Sequence, residues 1–155
     1  MKKIYSIIEL KKKLEVLRKK KLLIGLTNGC FDLLHPGHIH LLNKAKNMCD
    51  YLIVAVNTDY SVTSLKGKNR PIEEESIRLN NLSSIKSVDA LILFSDNTPL
   101  KLISDIVPDR LFKGSDYKNK NIIGKDIIKK NGGQVILINI LEGYSTTNII
   151  NKSSI

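Results

Sequence analysis

The chain has 155 residues, of which 42% are hydrophobic, so it can form one domain with a substantial buried core. Its net charge is +10, but the lysines are scattered, only 5% of residues are aromatic and tryptophan is absent, which argues against a stacking surface for nucleic acid. No apolar run approaches the length of a membrane span, and the two cysteines form no CxxC pair. We therefore expect a cytoplasmic protein with free thiols that binds neither nucleic acid nor membrane.

The first predicted element is a helix over residues 6–19. Ser6 and Glu9 form an S-x-x-E capping box at its start, and apolar residues then recur at helical spacing. The chain is expected to be one domain, residues 1–155. Because the helix precedes the first strand, residues 1–21 are predicted to be a helical addition to a core formed by residues 22–152.

The sequence TNGCFDLLHPGH, residues 27–38, lies between a predicted buried strand at residues 22–26 and a helical pattern that begins near Pro36. Gly37 lets a ligand approach the backbone, and the free N–H groups of the new helix form an anion site. His35 and His38 flank this turn and can donate hydrogen bonds to phosphate oxygens. Two alternatives are a capping role for His35 with packing of His38, and a zinc site that includes Cys30.

Further strand-like runs occur at residues 51–57, 88–94, 110–113 and 134–139, and helical patterns alternate with them. The alternation predicts an α/β fold, a Rossmann-like, doubly wound, mainly parallel five-stranded sheet with helices on both faces. Ligands of such sheets bind at the carboxyl ends of the strands.

Polar and basic residues follow several of these strands and are candidates for contacting a phosphorylated ligand. They are Asn57 and Asp59 after the second strand, Lys66, Lys68 and Arg70 in a basic loop, Lys113, Gly114 and Asp116 after the fourth strand, and Ser145, Thr146 and Thr147 at a predicted helix start. Asp59 also suits the N-cap of a short helix.

The stretch GCFDLLHPGH resembles the HxGH signature of the nucleotidyltransferase superfamily. The longer form TNGCFDLLHPGH is similar to one branch, the heptose 1-phosphate adenylyltransferases that make ADP-heptose for lipopolysaccharide. The stretches AVNTD, LKGKNRP, KGSDY and GYSTT are similar to family patterns as well. Glycerol-type cytidylyltransferases carry an arginine shortly before the last pattern, whereas this chain has Leu141 and Glu142. The resemblance implies transfer of AMP from ATP, with Mg²⁺, to a sugar 1-phosphate.

The resemblance also implies roles for individual residues. His35 and His38 would be catalytic, and Arg78 matches an arginine that faces the nucleotide phosphates; Lys44 is a further catalytic candidate if its side chain reaches back along its helix. The predicted nucleotide- and phosphate-binding residues are Asn28, Gly29, Cys30, Phe31, Gly37, Lys66, Lys68, Arg70, Lys113, Gly114, Ser145, Thr146 and Thr147. Asp32, Asn57, Asp59 and Asp116 are predicted to orient substrate or ribose, and no metal site built from protein ligands is expected.

In many bacteria such an adenylyltransferase is fused to a sugar kinase of the ribokinase type. A chain of 155 residues has no room for both, so we expect a stand-alone adenylyltransferase, a homodimer, that depends on a separate heptose kinase. The alternatives are a cytidylyltransferase acting on glycerol 3-phosphate or ethanolamine phosphate, an FAD synthetase of the archaeal type and, outside enzymes, a basic nucleic-acid-binding module.

Overall fold

Five parallel strands form one sheet in the computed structural model, which describes residues 2–141, 143–145, 149 and 150. The spatial order is β3-β2-β1-β4-β5. This confirms the predicted Rossmann-like, doubly wound fold, and the sheet is parallel at every described pairing. The strands are β1 (Ile24–Gly29), β2 (Tyr51–Asn57), β3 (Ala90–Phe94), β4 (Arg110–Gly114) and β5 (Gln134–Ile138).

Helices connect these strands, and a short 3₁₀ turn (Ser115–Tyr117) follows β4. Thr58, not Asp59, caps the helix after β2, because its hydroxyl accepts the backbone N–H of Ser61 at 3.2 Å. None of the helices in the described part of the chain is long and apolar enough to cross a membrane. The helices are α1 (Ile7–Lys19), α2 (Pro36–Asn47), α3 (Asp59–Lys66), α4 (Glu75–Ser83), α5 (Leu100–Ile106) and α6 (Lys125–Lys130).

Both faces of the sheet are covered by apolar helix surfaces, as the continuous apolar character of β2 indicates. On one face α1, α5 and α6 pack against the strands, and on the other α2 and α4 do so. The predicted capping box of α1 is present, and its residues Leu10 and Leu14 are fully buried within the first of these clusters. Helix α1 therefore shares the hydrophobic core of the sheet.

The stretch before α1 covers the outer edge of β3. Tyr5 donates its backbone N–H to the carbonyl of Leu91 at 2.9 Å, and Leu91 donates to the carbonyl of Lys3 at 2.7 Å. These bonds satisfy backbone groups that would otherwise be unpaired at the sheet edge.

Strands β1 and β4 separate towards their carboxyl ends. β1 pairs with β2 along its whole length but with β4 only at Gly25 and Leu26. Beyond them, the hydroxyl of Thr27 donates to the carbonyl of Phe112 at 3.2 Å. The chain leaves β1 towards β2 and β3 on one side and later returns to β4 and β5 on the other, so a topological switch point lies here and opens a crevice.

Candidate active site

The crevice at the carboxyl ends of the strands has two adjoining lobes. The histidine lobe, about 390 Å³, is lined by His35, Gly37, Gly114, Asp116 and Ser145, among others. The amide lobe, about 440 Å³, is lined by Asn57, Asn97, Asn121, Asp32 and Arg70, among others. Residues that border both lobes are Asn28, Gly29, Cys30, Phe31, His38, Lys66, Lys113 and Tyr117. Predicted residues from five separate segments of the chain thus line one crevice.

His35 and His38 form the N-terminal cap of α2. Nδ1 of His35 accepts the backbone N–H of Gly37 at 3.1 Å, and Nδ1 of His38 accepts the backbone N–H of His35 at 3.3 Å. The two rings stack with their centroids 3.8 Å apart. The capping role that the sequence left as an alternative is therefore present, and both rings also line the crevice.

Both histidines are neutral hydrogen-bond donors at neutral pH. Burial lowers the pKa of His38 to about 4, with the neighbouring His35 adding to the effect, and burial also lowers the pKa of His35. Because each Nδ1 accepts a backbone N–H, the proton of each neutral ring is on Nε2. Neither Nε2–H has a partner among the described residues, so each is available to an anionic ligand.

Gly37 provides space beside His35. A Cβ atom on Gly37 would lie 2.9 Å from Cε1 of His35 and 3.2 Å from Cβ of Tyr144. A larger residue would push the His35 ring out of its capping position. Glycine at position 37 was predicted to leave space for a ligand near the backbone, and the same space also accommodates the His35 ring.

Lys113 is a buried cation in the crevice. It is 8% exposed at the end of β4, and its Nζ donates to Oδ1 of Asn28 at 2.5 Å. Burial lowers the pKa of Lys113 to about 8, although Asp116 nearby favours the charged form. Lys113 forms no ion pair within the part of the chain that the structure describes, and a bound phosphate would supply a direct counter-charge.

Asp32 borders the amide lobe, but its carboxylate bonds protein groups. Its side chain is 0% exposed and pairs with Nε of Arg70 at 2.9 Å. It also accepts the backbone N–H groups of Ile72 and Glu73 at 2.8 and 3.0 Å. The predicted role of Asp32 in contacting ribose, metal or sugar does not match this arrangement.

Arg78 has a different environment from the predicted one. The side chain is 0% exposed and lines neither lobe. Its guanidinium donates to the carbonyls of Cys30 and Asn57, each at 2.7 Å, to the carbonyl of Glu73 at 3.0 Å and to the carboxylate of Asp59 at 2.8 Å. Arg78 therefore ties together the ends of β1 and β2, and it does not face the crevice.

Three further predicted residues lie away from both lobes. Asp59 is engaged with Arg78, and Lys68 is exposed at the tip of its loop. Lys44 is exposed on α2, six residues beyond His38, which is about 9 Å along a helix. That distance explains why the structure does not bring Lys44 to the site. The predicted residues Thr146 and Thr147 lie outside the described residues.

Some crevice residues were not among the predicted ones. Asn97 follows the end of β3, so the rule that ligands bind beyond strand ends identifies it in retrospect. Asn121 belongs to the irregular connection after β4, which has no recognisable pattern. Tyr117 and Tyr144 border the histidine lobe, and the His35 and Tyr144 rings are stacked with centroids 6.2 Å apart.

The geometry does not favour the zinc alternative. His35 and His38 use Nδ1 as hydrogen-bond acceptors, and the pKa of Cys30 is raised by burial, so its thiolate is disfavoured. Within the described residues, no three His, Cys, Asp or Glu side chains are grouped to hold a metal ion.

The crevice residues lie within a region that matches a known family. A family model described as cytidylyltransferase-like matches residues 26–152. Bifunctional protein HldE of Granulibacter bethesdensis is 51% identical over 133 residues, which are 86% of this chain and 27% of that protein. Bifunctional protein HldE of Caulobacter vibrioides is 50% identical over 133 residues, 86% of this chain and 28% of that protein. The chain thus spans less than a third of these relatives.

Solved structures support the same assignment. The lipopolysaccharide core biosynthesis protein from Thermoplasma volcanium GSS1 is 33% identical with a TM-score of 0.62, covering 80% of this chain and 99% of that one. Pantoate-beta-alanine ligase from Francisella tularensis shares the fold. It is 18% identical with a TM-score of 0.66, and the match covers 99% of this chain and 77% of that one. The chain belongs to the cytidylyltransferase-like family and is a nucleotidyltransferase.

Proposed function

We propose that the chain transfers AMP from ATP to a heptose 1-phosphate, producing ADP-heptose and pyrophosphate for lipopolysaccharide or another surface glycan. The observation that carries the proposal is the set of donors in the histidine lobe: two Nε2–H groups, the start of α2 and the Lys113 ammonium. This set suits a polyphosphate whose negative charge shifts during the reaction. The resemblance of TNGCFDLLHPGH to the heptose 1-phosphate adenylyltransferases supports heptose as the acceptor, and the similarity to the lipopolysaccharide core biosynthesis protein supports the pathway.

In the proposed reaction, an oxygen of the sugar phosphate attacks the α-phosphorus of ATP. A new P–O bond forms there, the bond from the α-phosphorus to the bridging oxygen breaks, and pyrophosphate leaves with the electron pair. An anionic phosphate needs no base to remove a proton before it attacks. His35 and His38 would stabilise charge on the α-phosphate and the leaving group, and positioning would supply much of the remaining acceleration.

The two lobes suggest where each substrate binds. His35, Gly37 and Ser145 line the histidine lobe alone, so we assign the triphosphate to it. The acceptor then approaches from the amide lobe, where Asn57, Asn97 and Asn121 can bond sugar hydroxyls as donors or acceptors. Lys66 borders both lobes and Arg70 the amide lobe, and these cations suit the acceptor's own phosphate.

Mg²⁺ is treated in this proposal as part of the ATP substrate. Mg²⁺ at phosphate sites keeps several waters and binds mainly through phosphate oxygens and one or two carboxylates. Among the described residues the two lobes offer few carboxylates, since the Asp32 side chain is fully buried and engaged, while Asp116 lines the histidine lobe. The ion would neutralise the triphosphate, and the chain's own donors would orient it.

The test is a panel of nucleoside triphosphates against sugar phosphates, with pyrophosphate release as the readout. ATP with heptose 1-phosphate, supplied one anomer at a time, is expected to give pyrophosphate and ADP-heptose, whereas ATP with free heptose gives neither. Product from free heptose contradicts the single-step reaction. Activity with CTP and glycerol 3-phosphate, but none with ATP and heptose 1-phosphate, assigns the chain to the cytidylyltransferase alternative.

A further inference from the structure

The segment Lys66–Glu73 forms one wall of the amide lobe, and we call it the wall segment. Its cations Lys66 and Arg70 line the crevice, whereas Gly67, Lys68 and Asn69 between them are exposed. From Lys66 to Arg70 this loop has no apolar side chain to hold it against the sheet, and of the two apolar residues that follow, Pro71 is half-buried and Ile72 is 51% exposed. Something other than hydrophobic packing must therefore fix its position.

Asp32 provides that attachment. One carboxylate oxygen accepts the Arg70 Nε–H at 2.9 Å and the Ile72 N–H at 2.8 Å, and the other accepts the Glu73 N–H at 3.0 Å. Burial alone would raise the pKa of Asp32, but the two backbone bonds and Arg70 outweigh it, and the pKa lies below its usual value. The carboxylate is therefore ionised at neutral pH and bonds three consecutive parts of the wall segment.

We infer that Asp32 is a positioning residue that holds the wall segment against the turn after β1 and aims Arg70 into the amide lobe. The inference rests on the proposed function, in which Arg70 meets the acceptor phosphate. The side chain of Asp32 is 0% exposed, so Asp32 acts on a ligand through Arg70 and not by direct contact.

Two neighbouring bonds define the limits of the attached part. The hydroxyl of Thr63 donates to the carbonyl of Arg70 at 2.7 Å, and the carboxylate of Glu73 accepts the N–H of Leu33 at 3.0 Å. Gly67 has φ +100° and open space around its Cα, so the chain turns out of α3 there. The segment is held from Arg70 onwards, and we expect the exposed tip before it to open far enough to enter a protease only when that attachment breaks.

The first test measures opening without any assay of catalysis. Trypsin cuts after Lys66 and Lys68 but not after Arg70, because Pro71 follows it. Cleavage of a native loop requires the neighbouring residues to open, so the rate reports the attachment. In Asp32→Asn we expect cleavage after Lys68, relative to cleavage after the exposed Lys120, to rise roughly tenfold, as loss of charge-assisted bonds implies.

Matched variants make the result decisive. Asp105→Asn removes a carboxylate whose Oδ1 lies 3.4 Å from Nζ of Lys11, far from the crevice, and the relative rate should stay at the wild-type value. An unchanged relative rate in Asp32→Asn overturns the inference. If Asp32→Asn speeds both cleavages equally, the variant Arg70→Ala decides, because it keeps the backbone bonds to Asp32. Faster cleavage after Lys68 alone in Arg70→Ala supports the inference. Equally faster cleavage after Lys68 and Lys120 overturns it.

The second test is a double-mutant cycle on kcat/KM for the sugar phosphate. If Asp32 acts through Arg70, Asp32→Asn lowers kcat/KM in the wild-type background but changes it less than twofold in the Arg70→Ala background. Multiplicative losses contradict the inference and assign Asp32 a contact of its own. Absence of any nucleotidyl transfer would refute the proposed function. The trypsin experiment would still test whether Asp32 holds the wall segment.

Discussion

Nζ of Lys113 lies 2.5 Å from Oδ1 of Asn28, across the gap where β1 and β4 cease to pair. The bond joins the two strands at the switch point of the sheet, and it places a buried ammonium group beside the two capping histidines. An amide is a neutral partner, so it orients the lysine without neutralising it. The positive charge remains available to a ligand.

This arrangement predicts a specific pH dependence. The pKa of Lys113, about 8, lies below the ordinary lysine value of 10.5 because of burial. As pH rises above about 8 the free enzyme loses this charge, so kcat/KM for ATP should fall, approaching tenfold per pH unit, while kcat changes less. In Lys113→Arg the alkaline decline should disappear, since arginine stays protonated.

A loss of folded-state stability on deprotonation of Lys113 does not explain such a decline in kcat/KM. Between pH 8 and 10.5 the unfolded chain binds more protons at this residue than the folded chain does, so its contribution to stability increases as pH rises. Urea unfolding of Lys113→Met and wild type at pH 7 and 9.5 separates the two effects. A decline in kcat/KM that persists in Lys113→Arg would assign it to another group.

Replacing His38 should affect turnover far more than stability. His38→Ala removes one donor from the histidine lobe, and kcat is expected to fall roughly 100- to 1000-fold. It also removes the acceptor for the His35 N–H, which costs about 1 kcal/mol of unfolding free energy. His40→Ala is the matched control, because its ring bonds the Asn139 carbonyl at 3.0 Å and lines neither lobe. A folded His38→Ala enzyme with wild-type turnover would contradict the catalytic role.

The amide lobe should determine affinity for the acceptor. Asn97 and Asn121 are exposed, and in the described part of the chain their side-chain amides have no hydrogen-bond partner. Asn97→Ala and Asn121→Ala are expected to raise KM for the sugar phosphate roughly 2- to 10-fold each, and to leave KM for ATP unchanged. Asn131→Ala, at the end of α6, serves as the control. A change in KM for ATP alone would reverse the assignment of the two lobes.

Arg78 should contribute strongly to stability. Arg78→Met removes the guanidinium that bonds the carbonyls of Cys30 and Asn57 and the carboxylate of Asp59, and the expected loss in unfolding free energy is roughly 3–5 kcal/mol. Arg18→Met offers a comparison, because Arg18 also donates to backbone carbonyls but is exposed on α1. Urea denaturation of both variants measures the difference. Equal losses in unfolding free energy would mean that the buried hydrogen bonds of Arg78 contribute no more to stability than those of the exposed Arg18.

The strands could be predicted well where their residues are apolar. The run Tyr51–Asn57 is identified at its full length because every residue but the last is apolar and a charged residue precedes it. For β1 the apolar pattern predicts an end at residue 26, whereas the strand continues to Gly29. Residues 27–29 extend it because their backbone pairs with β2, and the side chains of Thr27 and Asn28 then bond Phe112 and Lys113 of β4. Neither the pairing nor the side-chain partners, which lie about 85 residues away, leave a trace in a local apolar pattern.

In the candidate site, too, residues fixed by local sequence could be predicted and residues fixed by distant contacts could not. The turn with His35 and His38 is local, so spacing and helix-start chemistry are sufficient to locate it. The burial of Arg78 is not local, since its acceptors come from the end of β1, the end of β2 and the wall segment. Asn97 and Asn121 meet only because two irregular connections converge on one lobe.

The cap at the start of α2 has a practical consequence for engineering. The same two side chains end the turn, begin the helix and supply the donors, so selection for heat resistance and selection for turnover act on identical positions. A library directed at residues 35–38 will mix the two properties in every clone. Ile8 and Val16, 67% and 51% exposed on α1, offer positions where thermal tolerance can be improved without disturbing the crevice.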